Sequence, residues 1–466
     1  MSRAVALLLL LAAGLAACIT APLDTTPLAS TGQPRPTPTA EAAATTAQGA
    51  AKPQITAAPA TTLAATVVAT PTATAQPPLP TLPPLAAGAP RCGLVLPVLA
   101  PAASLAMTSP SAASSLALEA VPEAARPAVR QMLLEPGSVS LAAFELGREA
   151  EGVYLNPDLS LPLASVVKVI HLIAYAEAVQ NGELDPAQPV TLAALEQFYL
   201  ANSDLSAHPN AVTALRAEGR VFGDPPAVQL ADVPRMMMQY SSNAATDYLH
   251  ILLGQERLEA TIVALGLSSH TAPCPFLGQF LLMSEGEAAV DGYLANPDRY
   301  AADVMAATLA YSAGDNGTAQ RGWRGRTQRP EISIQEIYSE HFNAHGSARD
   351  YALLMGRIAE NQFGPWEQNV RIRSYMEWPT AFPANQQTLA WLGYKGGSLP
   401  GVLTSAYYAQ PWNRARPVVV ALFFHDLPIT IYRQWRRELP NDELARWLLY
   451  EREAISTLRA VLAAAQ

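Results

Sequence analysis

The chain has 466 residues, a formal net charge of −9 and 40 prolines. Its arginines are scattered and form no basic patch, which argues against nucleic-acid binding. The first ninety residues differ so strongly in composition from the remainder that we expect two different kinds of segment.

The chain begins with a segment that resembles an export signal. Arg3 provides a positive start, and an Ala/Leu run that is too short to span a bilayer leads to small residues. Leu15–Cys18 resembles the lipobox of bacterial lipoproteins, in which the cysteine is lipidated and becomes the mature N-terminus. We therefore predict a signal peptide over residues 1–17, lipidation of Cys18 and a membrane-anchored, extracytoplasmic lipoprotein at the cell surface or in the periplasm. The alternative is ordinary secretion with Cys18 discarded or unmodified.

Residues 18–90 are rich in Pro, Thr and Ala and almost lack aromatic side chains. Proline removes backbone donors, and such a composition buries little apolar surface. We predict a disordered, extended stalk that gives the following domain reach from the membrane.

Two cysteines follow the stalk, Cys92 and Cys274. In an oxidising compartment they could form one long-range disulfide. The alternative is two free thiols.

Residues 91–466 alternate between helical and strand patterns, with a core over about 120–466. The periodicity of apolar residues predicts helices over 119–134, 163–180, 243–253, 255–265 and 442–464. It predicts strands over 138–146, 152–155, 391–398, 401–408 and 418–424. Strands at both ends with helices between them predict an α+β domain whose sheet is completed by distant segments.

Lysine is scarce in this chain, which has three lysines and 27 arginines. Lys52 lies in the predicted stalk, whereas Lys168 and Lys395 each lie in a short motif. Arginine can replace lysine as a cation but cannot release its proton, whereas a desolvated lysine can act as a base. Biased codon usage explains the scarcity equally well, so the motifs must decide what these lysines do.

The first motif is S-x-x-K, formed by Ser165 and Lys168 at the start of an apolar helix. Residues three apart lie on one side of a helix. A lysine among apolar neighbours could take the serine proton and activate the hydroxyl without a histidine. The alternative is a helix-capping serine beside a lysine whose amine reaches solvent.

The second motif is S-x-N, formed by Ser241 and Asn243 at the start of another predicted helix. Ser241 could relay a proton to a leaving nitrogen while Asn243 holds a substrate carbonyl. The alternative role for Ser241 is a helix cap. The preceding methionines, residues 236–238, are predicted to be core rather than a binding surface.

The third motif is Lys395-Gly396-Gly397-Ser398, within a predicted strand. Glycines in a strand let a ligand approach the backbone closely. The alternative is a glycine turn with an exposed lysine.

In this chain order, the three motifs resemble those of the class A β-lactamases and their relatives, the penicillin-recognising serine acyltransferases. Residues 161–165, 243–249 and 347–350 extend the resemblance. It implies a β-lactamase/transpeptidase-like fold, in which N- and C-terminal segments form an antiparallel sheet and a helical subdomain carries the first two motifs.

The resemblance also implies roles for individual residues. The implied catalytic residues are the acylated nucleophile Ser165, its base Lys168, the proton relay Ser241 and the electrostatic partner Lys395. The implied substrate-binding residues are Asn243, Gly397 and Ser398. The backbone N–H groups of Ser165 and Ser398 would form the oxyanion hole.

The chain departs from the family pattern in three respects. Gly396 stands where the family usually has a threonine, so a hydroxyl group that helps to bind the substrate carboxylate is missing. Class A enzymes carry an E-x-x-x-N glutamate that activates the deacylating water, but the comparable residues 270–280 contain no carboxylate. The interval between the second and third motifs is also long, which predicts an insertion within 284–340.

We predict a serine hydrolase that is acylated at Ser165 by β-lactams or by related peptidoglycan amides, and that acts as a monomer without cofactor or metal. One alternative is a D-alanyl-D-alanine carboxypeptidase-like wall enzyme, and the other is a lipoprotein that binds lactams or peptidoglycan without hydrolysis. Nucleophile-elbow, phosphate-loop and dinucleotide motifs are absent from the sequence. His341 and His345 are predicted to be surface histidines rather than zinc ligands.

Overall fold

A computed structural model describes residues 92–93, 118–314 and 330–464. The predicted signal peptide, the lipidation site Cys18 and the stalk lie outside these ranges. Within them, no helix combines the length and the apolar character needed to cross a bilayer.

The central element is a five-stranded antiparallel sheet with the strand order β2-β1-β9-β8-β7. Its strands are β1 (Val139–Glu145), β2 (Val153–Leu155), β7 (Leu389–Leu399), β8 (Val402–Pro411) and β9 (Val418–Phe424). Two strands from the start of the domain therefore pair with three from its end. This confirms the predicted α+β class and the sheet built from distant segments.

β9 is the middle strand and is buried on both faces. Val419, Ala421 and Phe423 join the core on the helical side of the sheet. Val418, Val420, Leu422 and Phe424 join the core on the opposite side. Burial on both faces explains why this strand is a continuous apolar run rather than an alternating one.

Two short sheets and a set of helices complete the fold. The short sheets pair β3 (Ser160–Pro162) with β6 (His345–Ser347), and β4 (Pro189–Thr191) with β5 (Ala227–Gln229). The α-helices are α1 (Arg126–Leu134), α2 (Lys168–Gln180), α3 (Leu192–Glu196), α4 (Ala207–Ala217), α5 (Asp232–Gln239), α6 (Asn243–Leu253), α7 (Gln255–Leu265), α8 (Phe276–Met283), α9 (Glu287–Ala295), α10 (Pro297–Ala313), α11 (Ile332–His341), α12 (Ala348–Ala359), α13 (Trp366–Met376), α14 (Pro383–Gln386), α15 (Ile429–Glu438), α16 (Pro440–Tyr450) and α17 (Ala454–Ala463).

α2 lies at the centre of the helical side. Almost every residue from Lys168 to Val179 is buried, and α5, α6, α7 and α13 pack around the helix. A helix that is apolar all round is stable only when it is surrounded in this way. The N-terminus of α2 is consequently held in a fixed position beside the sheet.

Two predicted helices differ from the observed ones. The helix predicted to begin at residue 119 begins at Arg126. Pro122 lies before a short 3₁₀ turn that precedes the helix, and Pro127 lies in the first turn of the helix, where a backbone N–H is not needed. The single helix predicted over 442–464 is two helices, α16 and α17. The chain turns at Glu451, whose backbone is extended, and α17 then packs against β2.

A small separate core surrounds Cys92 and Cys274, which form a disulfide. Tyr293, Tyr300 and Phe342, from α9, α10 and the end of α11, pack into the same core. These helices occupy the described part of the region where an insertion is predicted, and the insertion itself stays a prediction.

Candidate active site

The three motifs meet at one cavity between the edge strand β7 and the helical side of the fold. Ser165, Ser241, Asn243, Lys395 and Ser398 all line this cavity. Lys168 lies directly behind it, fully buried. The structure thus brings together residues that are far apart in the sequence, while their individual roles stay predictions.

Ser165 lies in a 3₁₀ turn, Ala164–Val167, that leads into α2. The preceding Ala164 has φ +47°, a conformation that costs a non-glycine residue about 1 kcal/mol or more. Asn343 stabilises it, since its Oδ1 accepts the Ala164 N–H at 2.9 Å. Thr404 of β8 donates its hydroxyl to the Leu163 carbonyl at 2.8 Å. The strained turn that presents the serine is therefore fixed from two sides.

Lys168 is 0% exposed, so its amine does not reach solvent. Its Nζ donates to the Ser241 carbonyl at 2.6 Å and to Asn243 Oδ1 at 2.7 Å. In a 3₁₀ turn, residues three apart lie directly above one another, which places the Lys168 stem beneath Ser165. Ser165 caps no helix through its side chain. The alternative of a capping serine beside a solvent-reaching lysine is therefore wrong.

Ser241 does not cap α6, since that cap is Ser242, whose Oγ accepts the Ala245 N–H at 3.1 Å. Ser241 itself has φ +65°, a second strained position beside the cavity. The capping alternative for Ser241 is therefore wrong. The preceding methionines, residues 236–238, are buried as predicted.

The Ser241 hydroxyl lies between the two lysines of the domain. Lys168 Nζ donates to Ser241 Oγ at 3.3 Å, and Lys395 Nζ donates to it at 3.0 Å. A hydroxyl has two acceptor positions and one hydrogen. Because the lysines take both acceptor positions, the hydrogen is left to be donated into the cavity.

The Asn243 side chain is oriented by the same lysine. Its Oδ1 accepts from Lys168, so its amide N–H groups are the part that remains for a ligand. An amide donor that points into a cavity suits a carbonyl oxygen of the substrate.

β7 passes so close to the nucleophile that only glycine fits at residue 397. A Cβ built on Gly397 would lie 2.6 Å from the Ser165 backbone nitrogen. Lys395, two residues earlier in β7, is 3% exposed. Besides its bond to Ser241, its Nζ donates to the Gly396 carbonyl at 2.7 Å. The third motif is therefore strand rather than turn, and its lysine is buried.

The Tyr394 hydroxyl lies beside Gly396, the position at which the expected hydroxyl is missing. A Cβ built on Gly396 would overlap the Tyr394 hydroxyl, which therefore occupies the place of a side chain at position 396. Tyr394 also lines the cavity. Because residues two apart share one face of a strand, the sequence alone could have indicated that the Tyr394 side chain lies near position 396.

The segment 270–280, in which no carboxylate is present, contributes aromatic rings to the cavity instead. Phe276 and Phe280 line it, and the Phe276 ring centre lies 4.9 Å from Lys168 Nζ. Buried Asp247 holds this segment, because its two oxygens accept the Phe276 and Leu277 N–H groups at 2.8 and 2.7 Å. Asp247 thus positions the ring that shields the amine.

Replacing Asp247 with asparagine is expected to destabilise the protein by about 1–3 kcal/mol, because an asparagine presents only one acceptor to two amide donors. Burial raises the pKa of Asp247 to about 7, although the two amides lower it. Between the ordinary aspartate pKa and about pH 7, the Asp247 carboxyl therefore stays protonated in the folded protein but not in the unfolded chain. The stability that this proton contributes is complete below the ordinary aspartate pKa and is lost as the pH rises through about 7.

Thermal unfolding between pH 5 and pH 8 tests this expectation. The difference in Tm between the wild type and Asp247→Asn should be largest at pH 5 and smaller at pH 8. The exposed Asp298→Asn variant is the matched control and should melt like the wild type. A difference that grows with pH would contradict the expectation.

One sequence prediction about histidines is wrong. His345 is 1% exposed and lies in β6, with its Nδ1 2.8 Å from the Asn343 carbonyl oxygen. It is therefore a core residue rather than a surface histidine. The described residues contain no cluster of three or more His, Cys, Asp or Glu side chains that could hold a metal ion.

Sequence reasoning missed three charged residues that line the cavity, Asp204, Arg436 and Asp442. Asp204 lies in the turn before α4, Arg436 lies in α15 and Asp442 lies in α16. None of them belongs to a motif or follows one at a fixed spacing, so only the fold reveals them.

Residues 128–445 match a family described as the beta-lactamase enzyme family. No curated protein is significantly similar in sequence. Among solved structures, a beta-lactamase from Sphaerobacter thermophilus is 17% identical with a TM-score of 0.44, over 70% of this chain and 98% of that one. A beta-lactamase from Chitinophaga pinensis is 15% identical with a TM-score of 0.40, over 68% and 98%. The protein PBP-A is 15% identical with a TM-score of 0.39, over 68% and 94%.

Proposed function

This chain belongs to the beta-lactamase enzyme family, and on that premise we propose that it is an extracytoplasmic serine hydrolase whose Ser165 is acylated by β-lactams or by related peptidoglycan amides. The observation that carries the proposal is the Ser241 hydroxyl, held at 3.3 Å and 3.0 Å by the two buried lysines beside Ser165.

Acylation involves two proton transfers, one from the Ser165 hydroxyl and one to the leaving nitrogen. Lys168, in its neutral form, takes the proton of Ser165 as the oxygen attacks the amide carbonyl carbon. The backbone N–H groups of Ser165 and Ser398 stabilise the charge that develops on the carbonyl oxygen. Ser241 then donates its hydrogen to the leaving nitrogen and takes up the proton that Lys168 removed from Ser165.

The charges at the cavity favour a substrate with a carboxylate. Lys395 and Arg436 line the cavity together with Ser398, and the Tyr394 hydroxyl fills the place that a threonine side chain would take at position 396. β-Lactams and peptides that end in D-alanine both carry such a carboxylate. A cationic site of this kind binds either class.

The proposed location rests on the leader, on Cys18 and on the disulfide. Disulfides persist mainly in oxidising compartments outside the cytoplasm. The bond between Cys92 and Cys274 supports an extracytoplasmic domain. The lipobox-like Leu15–Cys18 supports attachment of that domain to the membrane.

A D-alanyl-D-alanine carboxypeptidase-like enzyme is the second candidate. It is favoured by the segment 270–280, which supplies Phe276 and Phe280 to the cavity where class A enzymes supply a glutamate. A non-hydrolysing lactam or peptidoglycan receptor is distinguished from both by turnover. A receptor releases one equivalent of product per protein and stops, whereas an enzyme continues.

A fluorescent penicillin tests the proposal, with intact-mass analysis and peptide mapping as the readout. The wild type is expected to gain one covalent adduct on Ser165, and Ser165→Ala is expected to gain none. Ser374→Ala, which changes an exposed serine in α13, is the matched control and should be labelled like the wild type. Absence of a Ser165 adduct with several lactams and with D-alanyl peptides would overturn the proposal.

A further inference from the structure

We propose that Asp204 is the carboxylate that activates the water which releases the acyl group from Ser165. This inference rests on the proposed function, because it concerns the second half of the same reaction. Deacylation needs a general base near the ester, and the segment 270–280 provides none.

Asp204 reaches the cavity from a strained turn between α3 and α4. The neighbouring Asn202, Leu205 and Ser206 have φ values of 65°, 55° and 69°. Three non-glycine residues in this conformation within five positions are uncommon. Such strain persists only where the surrounding structure enforces it, and it concentrates at functional sites. Asp204 lies in this turn and lines the cavity together with Ser165, Ser241 and Asn243.

The two oxygens of the Asp204 carboxylate differ in their contacts. Oδ2 accepts the His208 N–H at 3.0 Å, which fixes the carboxylate on the first turn of α4. Oδ1 is buried and has no hydrogen-bond partner among the described residues. A buried, unpaired carboxylate oxygen is costly unless a water or ligand supplies a donor. Since Asp204 lines the cavity, a small rotation of its side chain would let a water there donate to Oδ1.

The electrostatic surroundings suit a base. Burial raises the pKa of Asp204 above the ordinary aspartate value, while the bonded His208 N–H, the Lys168 amine and the Asn243 N–H, which lies beyond hydrogen-bond distance, lower it. A raised pKa brings a carboxylate closer to neutral pH, where it accepts a proton from water more effectively. Asp204 lines the same cavity as Ser165 and Ser241, which places it near the residues proposed to act on the acyl group.

Asp442 is the other carboxylate among the described residues that line the cavity. Both of its oxygens are occupied, since Tyr407 donates to Oδ1 at 2.5 Å and Asn441 donates to Oδ2 at 3.2 Å. Its pKa is also raised by burial, to about 6. Asp442 therefore lacks the available oxygen that Asp204 has.

The step balances without a further reactant. The water oxygen forms a bond to the acyl carbonyl carbon while its proton passes to Asp204 Oδ1. The bond between that carbon and Ser165 Oγ then breaks, and Ser165 Oγ takes up the proton. The products are the free carboxylic acid, the Ser165 hydroxyl and the ionised Asp204.

The test uses the fluorescent penicillin and compares the wild type, Asp204→Asn and Asp442→Asn. Asparagine keeps an oxygen for the His208 N–H but cannot accept the proton of water. Asp204→Asn is expected to acylate like the wild type and to retain the label at least about 100-fold longer. Asp442→Asn is expected not to show this accumulation.

Each outcome decides between the two proposals. Release from Asp204→Asn at the wild-type rate, or accumulation only in Asp442→Asn, would overturn the role of Asp204. If the wild-type adduct persists as long as the adduct of Asp204→Asn, the role of Asp204 is also overturned, but the proposed acylation of Ser165 is not. A wild type that is never labelled overturns the proposed function itself. If Asp204→Asn is not labelled, Asp204→Glu is measured next. Labelling of Asp204→Glu followed by release of the label supports a carboxylate at this position. Absence of labelling in both variants contradicts a role of Asp204 that is confined to release of the acyl group.

Discussion

Replacement of Lys168 by arginine is expected to slow acylation of Ser165 by about 1,000-fold or more, although the charge is conserved. Lys168 is fully buried and donates to the Ser241 carbonyl and to Asn243 Oδ1. A guanidinium can form similar hydrogen bonds, but it does not release its proton in proteins. General bases typically contribute a factor of about 100 to 10,000. Stopped-flow measurement of acylation by a chromogenic cephalosporin gives the rate.

The second lysine of the domain provides the matched comparison. Lys395 donates to Ser241 Oγ and contributes charge rather than proton abstraction in the proposed mechanism. Lys395→Arg should therefore retain far more activity than Lys168→Arg. Lys168→Met, which keeps the length of the side chain without the amine, separates loss of the base from poor accommodation of arginine. Acylation of Lys168→Arg within about 10-fold of the wild type would contradict the role of the lysine as base.

The parts of the fold that the sequence predicted are those whose apolar pattern repeats regularly. β9, α6 and α7 were predicted with the observed boundaries, because a buried run and two amphipathic stretches leave little ambiguity. The break between α16 and α17 was missed because Glu451-Arg452-Glu453 contains neither glycine nor proline. Packing of α17 against β2, rather than local propensity, ends the first helix there.

The site was predictable to the extent that its residues belong to motifs. Ser165, Lys168, Ser241 and Lys395 each have a fixed neighbour in sequence, and the fold brings them to one cavity. Asp204 has no such neighbour, because a turn residue reaches the cavity only through the tertiary structure. Ser242 rather than Ser241 caps α6 because Ser241 has a φ of +65°. Two adjacent serines give no local indication of which one adopts this conformation.

Replacement of Gly397 by alanine is expected to slow acylation by about 100-fold or more while leaving the fold intact. The added Cβ would lie 2.6 Å from the Ser165 nitrogen, 2.6 Å from Thr404 Oγ1 and 2.9 Å from Ala164 Cβ. Neither the Ser165 nitrogen nor the Ala164 Cβ can move without moving the backbone, so β7 must shift away from the nucleophile. A displacement of about 1 Å at a reacting group can cost about 100-fold in rate.

Gly292 provides the control for this substitution. It lies in α9, where an added Cβ would come no closer than 3.9 Å to another residue, at the end of the Arg299 side chain. Gly292→Ala should acylate like the wild type and melt slightly higher, because alanine favours a helix by about 1 kcal/mol over glycine. For Gly397→Ala, a slow acylation rate with a Tm near that of the wild type would locate the effect at the oxyanion hole. An unchanged rate would mean that β7 has room to move and that its close approach to Ser165 is not required for the chemistry.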